Sequence, residues 1–286
     1  MSNIPVMEEI NTLADLHMHS HFSDGVLAPD ELMQLVATRG VAHAALTDHD
    51  TTAGCELAAS TCAALGIRFS TGVEVSSAWR GQTLHILGLG LDANDAALAV
   101  HLATIRKLRQ VRINEIGERL TRKVFLPGRE LAASISVEAA VPTRMHLARA
   151  LLSLGLVSSL GEAFDRWLAS GRPGHVPITW PELSLTLEAL RHSGAQVVLA
   201  HPHRYKLSSG ALAKLLAEFQ AQGGQGMEVS VGGMGRSDLD RLATLSRRFK
   251  LAASTGSDFH DPATPWNPPG RFAKLPADLE AITTRL

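Results

Sequence analysis

Short apolar runs alternate with longer amphipathic stretches through the first 75 residues of the chain. The runs Thr12 to Ala14, Val41 to Thr47 and Ile67 to Val75 have the length and composition of buried strands. Between them, Pro29 to Arg39 and Thr52 to Leu65 have the pattern of helices, and a glycine follows each of them. The order strand–helix–strand–helix–strand predicts parallel strands joined by right-handed crossovers.

The alternation stops near Asp92 and returns after Pro181. A tight turn at Arg80-Gly81-Gln82 leads into a strand over 83–91, after which helices are predicted over 96–123, 143–154 and 159–170 with no strand between them. The later rhythm is helix 181–193, strand 195–200, helix 209–222, strand 226–231, helix 237–250 and strand 251–257, followed by an irregular Pro-rich segment over 262–269. We therefore expect an α/β barrel interrupted by a helical insertion over about 92 to 178.

Residue types that bind metal ions accompany most of the predicted strands, in most cases at the strand end. His17 and His19 alternate along an extended segment and so point to the same side. The carboxyl ends of barrel strands share one face, where side chains from distant parts of the chain converge. The candidate ligands are His17, His19, Asp24, His49, Glu74, His85, His201, Asp258 and His260. One ion takes about four to six ligands, so this set predicts two or three divalent ions, with Glu74 as a bridge. Imidazole and carboxylate without thiolate suit Zn²⁺, Mn²⁺ or Fe²⁺.

Composition and charge exclude some partners. The net charge is −1, which gives no polybasic signal for extended binding to a nucleic acid duplex. No apolar run reaches the ~18 residues of a membrane span, and the residues before Thr12 lack the features of a signal peptide, so we expect a cytoplasmic protein with no membrane partner. Cys55 and Cys62 lie about 10 Å apart along a predicted helix, which predicts reduced thiols.

The insertion is rich in arginine, and two groups of its residues are candidate phosphate contacts. Arg144 and His146 follow Thr143 at a predicted helix start, where backbone N–H groups also favour an anion. Arg109 and Arg112 lie three apart on one helix face, and arginine suits bidentate phosphate contact. The alternative is an ordinary solvated helix face with local ion pairs.

The motifs HMHSHFSDG, LTDHDT, GVEVS, HILGLG, AHPHRY and GSDFH together resemble the PHP (polymerase and histidinol phosphatase) family of the amidohydrolase superfamily. The resemblance implies a distorted (β/α)7 barrel with a trinuclear metal centre. Residues 1–91 and 179–286 would form the barrel domain that carries the metal site, and 92–178 a helical insertion that caps it.

The resemblance also implies roles for the candidate residues. The first ion would be held by His17, His19, Glu74 and Asp258, the second by Glu74, His85 and His201, and the third by Asp24, His49 and His260. Asp24, His49 and Glu74 are the candidate catalytic groups. The candidate substrate contacts are Arg144, His146, Arg109, Arg112 and His203. His203 departs from the family pattern, which often has glycine there, and could be a proton donor, a substrate contact or neutral.

The chain is most similar to stand-alone phosphoesterases of this family. The expected reaction is hydrolysis of the 3′-phosphate of a nucleoside 3′,5′-bisphosphate, such as pAp, with two or three divalent ions, Mn²⁺ being favoured. The alternative is a 5′→3′ exoribonuclease that releases mononucleotides from short single-stranded RNA. A non-enzymatic regulator is a third alternative, disfavoured because every ligand position is filled.

Overall fold

Seven strands form a single sheet in the structure, a computed structural model that describes residues 13–264 and 266–286. The strands are β1 (Ala14–Asp15), β2 (His43–Leu46), β3 (Arg68–Trp79), β4 (Gln82–Leu89), β5 (Gln196–Leu199), β6 (Gly226–Val231) and β7 (Ala252–Gly256). They are paired in chain order. The Leu16 N–H also donates to the Thr255 carbonyl (3.0 Å), which brings β1 beside β7. The sheet is therefore a nearly closed barrel, and the predicted distorted (β/α)7 barrel is confirmed.

Nine helices accompany these strands in the described part of the chain. They are α1 (Pro29–Thr38), α2 (Cys55–Leu65), α3 (Ala96–Val124), α4 (Gly128–Glu138), α5 (Arg144–Ser153), α6 (Leu160–Ala163), α7 (Leu183–His192), α8 (Ser209–Ala221) and α9 (Arg236–Phe249). A π-helical turn, Phe164–Leu168, continues α6, and 3₁₀ turns occupy Pro202–Arg204 and Ile282–Arg285. None of the helices in 13–264 and 266–286 is long and apolar enough to cross a membrane.

Most strands are parallel, and β4 is the exception. Strands β1, β2 and β3 run parallel, as the strand–helix alternation predicts, and so do β5, β6 and β7. Strand β4 is antiparallel to both of its neighbours. Arg80 and Gly81 have positive φ angles of 50° and 77° between the paired residues Trp79 and Gln82. This is the backbone of a two-residue hairpin turn, which forces β4 to reverse direction.

Predicted element boundaries differ from the observed ones by a few residues. Helix α2 begins at Cys55 rather than Thr52, and β3 extends to Trp79 rather than Val75. Strand β1 has only two residues, and Thr12 of the predicted run lies outside the described residues, as does position 265 of the Pro-rich segment. Cys55 and Cys62 are buried free thiols, as their spacing predicts.

Helix α3 connects two apolar clusters. Leu102 and Ile105 in its first half pack with barrel residues, while Ile113 and Leu120 in its second half pack with α5 and the π-helical turn. The segment from α3 to the π-helical turn contains no strand, and its second cluster is composed of its own side chains together with Val176. The division into a barrel domain and an insertion domain with boundaries at 92 and 178 stays a prediction.

Candidate metal centre

The nine candidate ligands lie at one end of the barrel. Most of them follow a strand directly, whereas Glu74 and His85 lie within β3 and β4. The donor atoms form three groups, and within each group they lie within 4.8 Å of one another: His19, Asp24, His49 and His260; His17, His19 and Asp258; and His49, Glu74 and His85. The groups share His19 and His49, so they form one continuous cluster.

Glu74 lies in the middle of this cluster, with both carboxylate oxygens surrounded by imidazole rings. Its Oε1 lies 3.0 Å from His85 Nδ1 and 2.9 Å from His201 Nε2. Its Oε2 lies 2.9 Å from His49 Nδ1 and 3.3 Å from His19 Nε2. His201, the candidate ligand outside the three groups, is therefore attached to the cluster through Glu74.

The donor atoms fit divalent metal ions. Asp24 Oδ1, His49 Nδ1, His85 Nδ1 and His201 Nδ1 are buried and make no hydrogen bond of good geometry among the described residues, although His49 Nδ1 and His85 Nδ1 lie close to Glu74. Buried polar atoms without partners are rare and costly in proteins. Lone pairs of nitrogen and oxygen that converge in this way, without thiolate, are the ligands that Zn²⁺, Mn²⁺ and Fe²⁺ accept.

Close packing of charges shifts the proton affinities of the cluster. Burial by itself raises the pKa of Glu74, but the nearby rings of His85, His49 and His17 hold this pKa well below its usual range. Burial opposes protonation of His19, yet hydrogen bonds to Asp258 and Glu74 raise its pKa to about 10. Without a metal ion, the cluster therefore holds protons that a bound ion would displace.

Three residues beside the cluster, each shortly after a strand, have strained backbone conformations. Asp50, His201 and Asp258 have positive φ angles of 52°, 31° and 52°, a region that residues other than glycine rarely adopt. Such conformations cost about 1–3 kcal/mol each and persist only where surrounding contacts enforce them. At Asp50, the carboxylate accepts hydrogen bonds from the Ser76 backbone N–H (2.7 Å) and hydroxyl (3.1 Å), which fixes the turn beside His49.

Asp48 and Glu228 are two supporting residues that the sequence did not single out. Asp48 accepts hydrogen bonds from the backbone and hydroxyl of Ser20 and from the hydroxyl of Ser23, which fixes the loop that carries Asp24. Glu228 contacts the His17 ring and lies fully buried on β6. Its only sequence signal was an acidic residue in a predicted strand that is otherwise uncharged.

A cavity of about 270 Å³ lies between the cluster and the helical segment. Asp24, His49 and His85 line the side formed by the cluster. Arg109, Arg112, Arg144 and Phe164 of the helical segment also line the cavity, as does Trp180. A small polar molecule in this cavity would therefore lie beside both candidate metal ligands and arginines.

The three predicted arginines differ in how they are paired. The Arg109 Nε donates to Asp50 Oδ2 (2.6 Å) and its Nη2 donates to Ser76 (2.8 Å), so its charge is neutralised. Arg112 and Arg144 donate only to the backbone carbonyls of Val176 and Leu168, each at 3.2 Å, and neither pairs with a carboxylate in the described part of the chain. Burial, with repulsion from Arg144 and Arg109, lowers the pKa of Arg112 to about 10. Two uncompensated charges in the wall of a cavity favour an anionic ligand.

His146 and His203 do not line the cavity. His146 Nδ1 accepts from the Thr143 backbone N–H (3.1 Å) and closes a capping box at the start of α5. His203 lies on the 3₁₀ turn after β5, and burial lowers its pKa to about 4. The neighbouring Arg204 forms an ion pair with Asp258, so it contacts a candidate ligand directly.

Known proteins resemble the chain over most of its length. A family model described as PHP domain matches residues 15–148. The 5′-3′ exoribonuclease Rnm of Salmonella typhimurium is 38% identical over 94% of this chain and 92% of its own. The 3′,5′-nucleoside bisphosphate phosphatase of Chromobacterium violaceum is also 38% identical, over 95% of both chains.

Two solved structures share the fold. One is an amidohydrolase from Chromobacterium violaceum with bound sulfate and no metal, with a TM-score of 0.89 and 36% identity over 96% of this chain and 95% of that one. The other is described as a metal-dependent phosphoesterase from Bifidobacterium adolescentis, with a TM-score of 0.79 and 26% identity over 96% of this chain and 94% of that one.

Proposed function

The chain belongs to the PHP domain family, and we propose that it hydrolyses the 3′-phosphate of nucleoside 3′,5′-bisphosphates, such as pAp, to give a 5′-mononucleotide and phosphate. The observation that carries the proposal is the cavity, which is lined both by candidate metal ligands and by arginines. We propose that the candidate metal ligands form one end of the substrate site and that Arg112 and Arg144 form the other. A nucleotide with a phosphate on each side of its ribose has the matching distribution of charge.

The cluster end would hold the phosphate that is cleaved. Divalent ions bound there would activate water and neutralise charge on the phosphoryl group. We propose that His17, His19, Asp258 and the other six candidate ligands hold two or three ions, with Mn²⁺ preferred and Glu74 as the bridge. The overlapping groups of donor atoms, with Glu74 between five rings, support more than one ion.

The arginine end would hold the phosphate that stays. Arg112 and Arg144 are held by backbone carbonyls and by the faces of Trp180 and Phe164, at 6.0 and 5.6 Å from the ring centroids. Their orientation is therefore fixed before a ligand binds, which reduces the entropy lost on binding. We propose that the helical segment caps the site in this way, and that the protein acts in the cytoplasm.

A 5′→3′ exoribonuclease is the second candidate, supported by relatives with that name. The first nucleotide of a 5′-phosphorylated RNA has a phosphate on its 5′ side and a phosphodiester on its 3′ side. The same two ends of the cavity would bind it, with the phosphodiester at the cluster.

One assay separates the two substrates. The manganese-loaded protein is given pAp or a 5′-phosphorylated trinucleotide, and release of phosphate and of mononucleotide is measured. The proposal expects a higher kcat/KM for pAp. Faster release of mononucleotide from the trinucleotide would favour the exoribonuclease, and no metal-dependent turnover of either substrate would refute both.

A further inference from the structure

We propose that Glu228 is a positioning residue of the metal centre, which holds the His17 ring in the orientation and tautomer that a metal ion requires and fixes the backbone of His201. Glu228 belongs to none of the three groups of donor atoms. The inference rests on the proposed metal-dependent function, and it concerns a residue on β6, the strand that supplies no candidate ligand.

Both carboxylate oxygens of Glu228 are engaged by candidate ligands. Its Oε1 lies 3.0 Å from His17 Nδ1, and its Oε2 accepts the backbone N–H of His201 at 2.6 Å. The carboxylate is fully buried, and these two residues follow β1 and β5, on separate parts of the barrel. A single side chain thus sets the positions of two candidate ligands relative to each other.

The contact with His17 determines which ring nitrogen can bind an ion. An ionised carboxylate only accepts hydrogen bonds, so His17 Nδ1 must carry the proton. In the neutral ring that binds a metal, the lone pair is then on Nε2, which lies 3.4 Å from both Glu74 Oε2 and Asp258 Oδ1, inside the cluster. Histidines that bind metals generally donate the other ring N–H to a carboxylate or carbonyl, which fixes the tautomer and strengthens the ligand.

Gly256 on β7 provides independent evidence that this arrangement is tightly built. A Cβ atom at this position would lie 2.3 Å from His17 Cβ and 2.9 Å from Glu228 Oε1. The base of the His17 side chain and the Glu228 carboxylate therefore both pack against the bare backbone of Gly256. The space has room for this pair only because the residue is glycine.

The contact with His201 supports a strained backbone. His201 has φ of 31° and ψ of 58°, and its N–H points at Glu228. The hydrogen bond to a charged acceptor stabilises the turn that aims the His201 ring at Glu74, 2.9 Å from Oε1.

Glu228→Gln is the decisive variant, because glutamine keeps the shape of the side chain and replaces one acceptor by a donor. If its oxygen accepts from His201, its amide NH₂ faces His17 Nδ1 and moves the ring proton to Nε2. If it is turned around, two donors meet at the His201 N–H. Either arrangement weakens the site, and we expect the affinity of the His17 site for zinc to fall about 10- to 100-fold.

The measurement does not depend on turnover. Zinc affinity is determined by competition with a chromophoric chelator, and ¹⁵N NMR of histidine-labelled, zinc-loaded protein reports the state of each His17 nitrogen. We expect a protonated Nδ1 and a zinc-bound Nε2 in the wild type, and loss of that pattern in Glu228→Gln. Val229→Ala, a neighbouring buried position on β6, is the control that should lower thermal stability and leave zinc affinity and the His17 signals unchanged.

The outcomes distinguish this inference from the proposed function. Unchanged zinc affinity in Glu228→Gln, a zinc-bound Nδ1 in the wild type, or an equal loss of zinc in Val229→Ala would each overturn the inference alone. Absence of zinc from every histidine of the wild type would overturn the metal-dependent function as well.

Discussion

Glu74 gives the sharpest test among single residues, because its two oxygens face rings that belong to different parts of the cluster. Replacing it by alanine removes a ligand from more than one proposed ion. We expect Glu74→Ala to lose more than one ion and nearly all turnover. Asp24 belongs to only one of the three groups of donor atoms, so Asp24→Ala should weaken one ion and spare the others. Elemental analysis measures the metal content of the two purified variants. Wild-type metal content in both of them would contradict the ligand assignment.

The variant Arg144→Ala tests substrate binding separately from the hydrolysis step. Loss of one charge-assisted hydrogen bond costs about 1.5–3 kcal/mol, so we expect Arg144→Ala to lower kcat/KM for a 3′,5′-bisphosphate by roughly tenfold to hundredfold. A substrate with only a 3′-phosphate should be nearly unaffected, since it lacks the group that Arg144 binds.

Arg166→Ala is the matched control for Arg144. Arg166 is an exposed arginine of the same helical segment, already paired with Glu162 and absent from the cavity wall. It should leave both substrates unchanged. An equal loss on both substrates in Arg144→Ala would instead place that residue at the reacting phosphate or in the scaffold.

The sequence could predict residues with a spacing signature and missed those without one. His17 and His19 share a face because extended chain alternates, and the structure brings them together. Glu228 is a single acidic residue in a strand, and only the fold shows which ligands it contacts. Arg109 has the spacing of a phosphate contact, but Asp50, 59 positions away, pairs with it. No local pattern indicates such a distant partner.

Among the helices, α3 has the clearest structural role outside the cluster, because the Arg109–Asp50 pair fastens it to the barrel beside His49. Arg109 is buried at the boundary between the two apolar clusters that α3 connects. We expect Arg109→Met to lower the free energy of unfolding by about 3–5 kcal/mol, because Asp50 is left as a buried charge without its partner.

A double variant tests that explanation. In Arg109→Met with Asp50→Asn the stranded charge is removed, so part of the lost stability should return. Urea unfolding is measured for the wild type, Arg109→Met, Asp50→Asn and the double variant. Additive losses in the double variant would show that the two side chains do not act as a pair.

The pairing of β2 with β3 predicts a dependence of stability on pH. His43 on β2 is buried against Ser70 on β3, and burial, with repulsion from Arg68, lowers its pKa to about 4, from an ordinary value of 6.5. The folded protein therefore binds fewer protons than the unfolded chain between these values. Stability from this group is complete above pH 6.5 and is lost as the pH falls towards 4.

The expected loss from His43 is about 2 kcal/mol at pH 5. His43→Gln lacks the titrating ring, so its free energy of unfolding should fall less between pH 7.5 and pH 5 than that of the wild type. Urea unfolding at the two pH values gives the difference. Equal falls in both proteins would show that His43 does not titrate in this way.

Two elements show the limits of local patterns. Helix α4 was not predicted, because Leu126-Pro127-Gly128 has the composition of a turn; the helix begins at Gly128, whose backbone packs closely on Gly117 of α3. The reversal of β4 depends on positive φ angles at Arg80 and Gly81. The sequence indicated the turn, but it could not show that the strand beyond it stays between β3 and β5.

At the scale of the whole molecule, the order of elements was predictable and the closure of the barrel was not. Alternating strands and helices imply parallel neighbours through a local rule. The contact of β1 with β7 joins Leu16 to Thr255, which are far apart in the sequence. Neither segment has a local sequence pattern that indicates this contact. The PHP motifs supplied that information because the resemblance implies a complete fold.

The same closure predicts how metal removal affects the whole protein. The candidate ligands follow or lie on β1, β2, β3, β4, β5 and β7, so bound ions would join six of the seven strands. Reconstitution with Mn²⁺ should give two or three ions per chain by elemental analysis.

An ion present at about 100 times its dissociation constant stabilises the folded state by about 2.7 kcal/mol, and for a chain of this size 1 kcal/mol shifts Tm by roughly 2–4 °C. We therefore expect a chelator to lower Tm by about 5–10 °C for each ion removed, and readdition of Mn²⁺ to restore it. The chelator should lower the Tm of Asp24→Ala by less than that of the wild type, because this variant binds fewer ions. One ion or none after reconstitution, or a Tm that the chelator leaves unchanged, would contradict a multinuclear centre that ties the strands together.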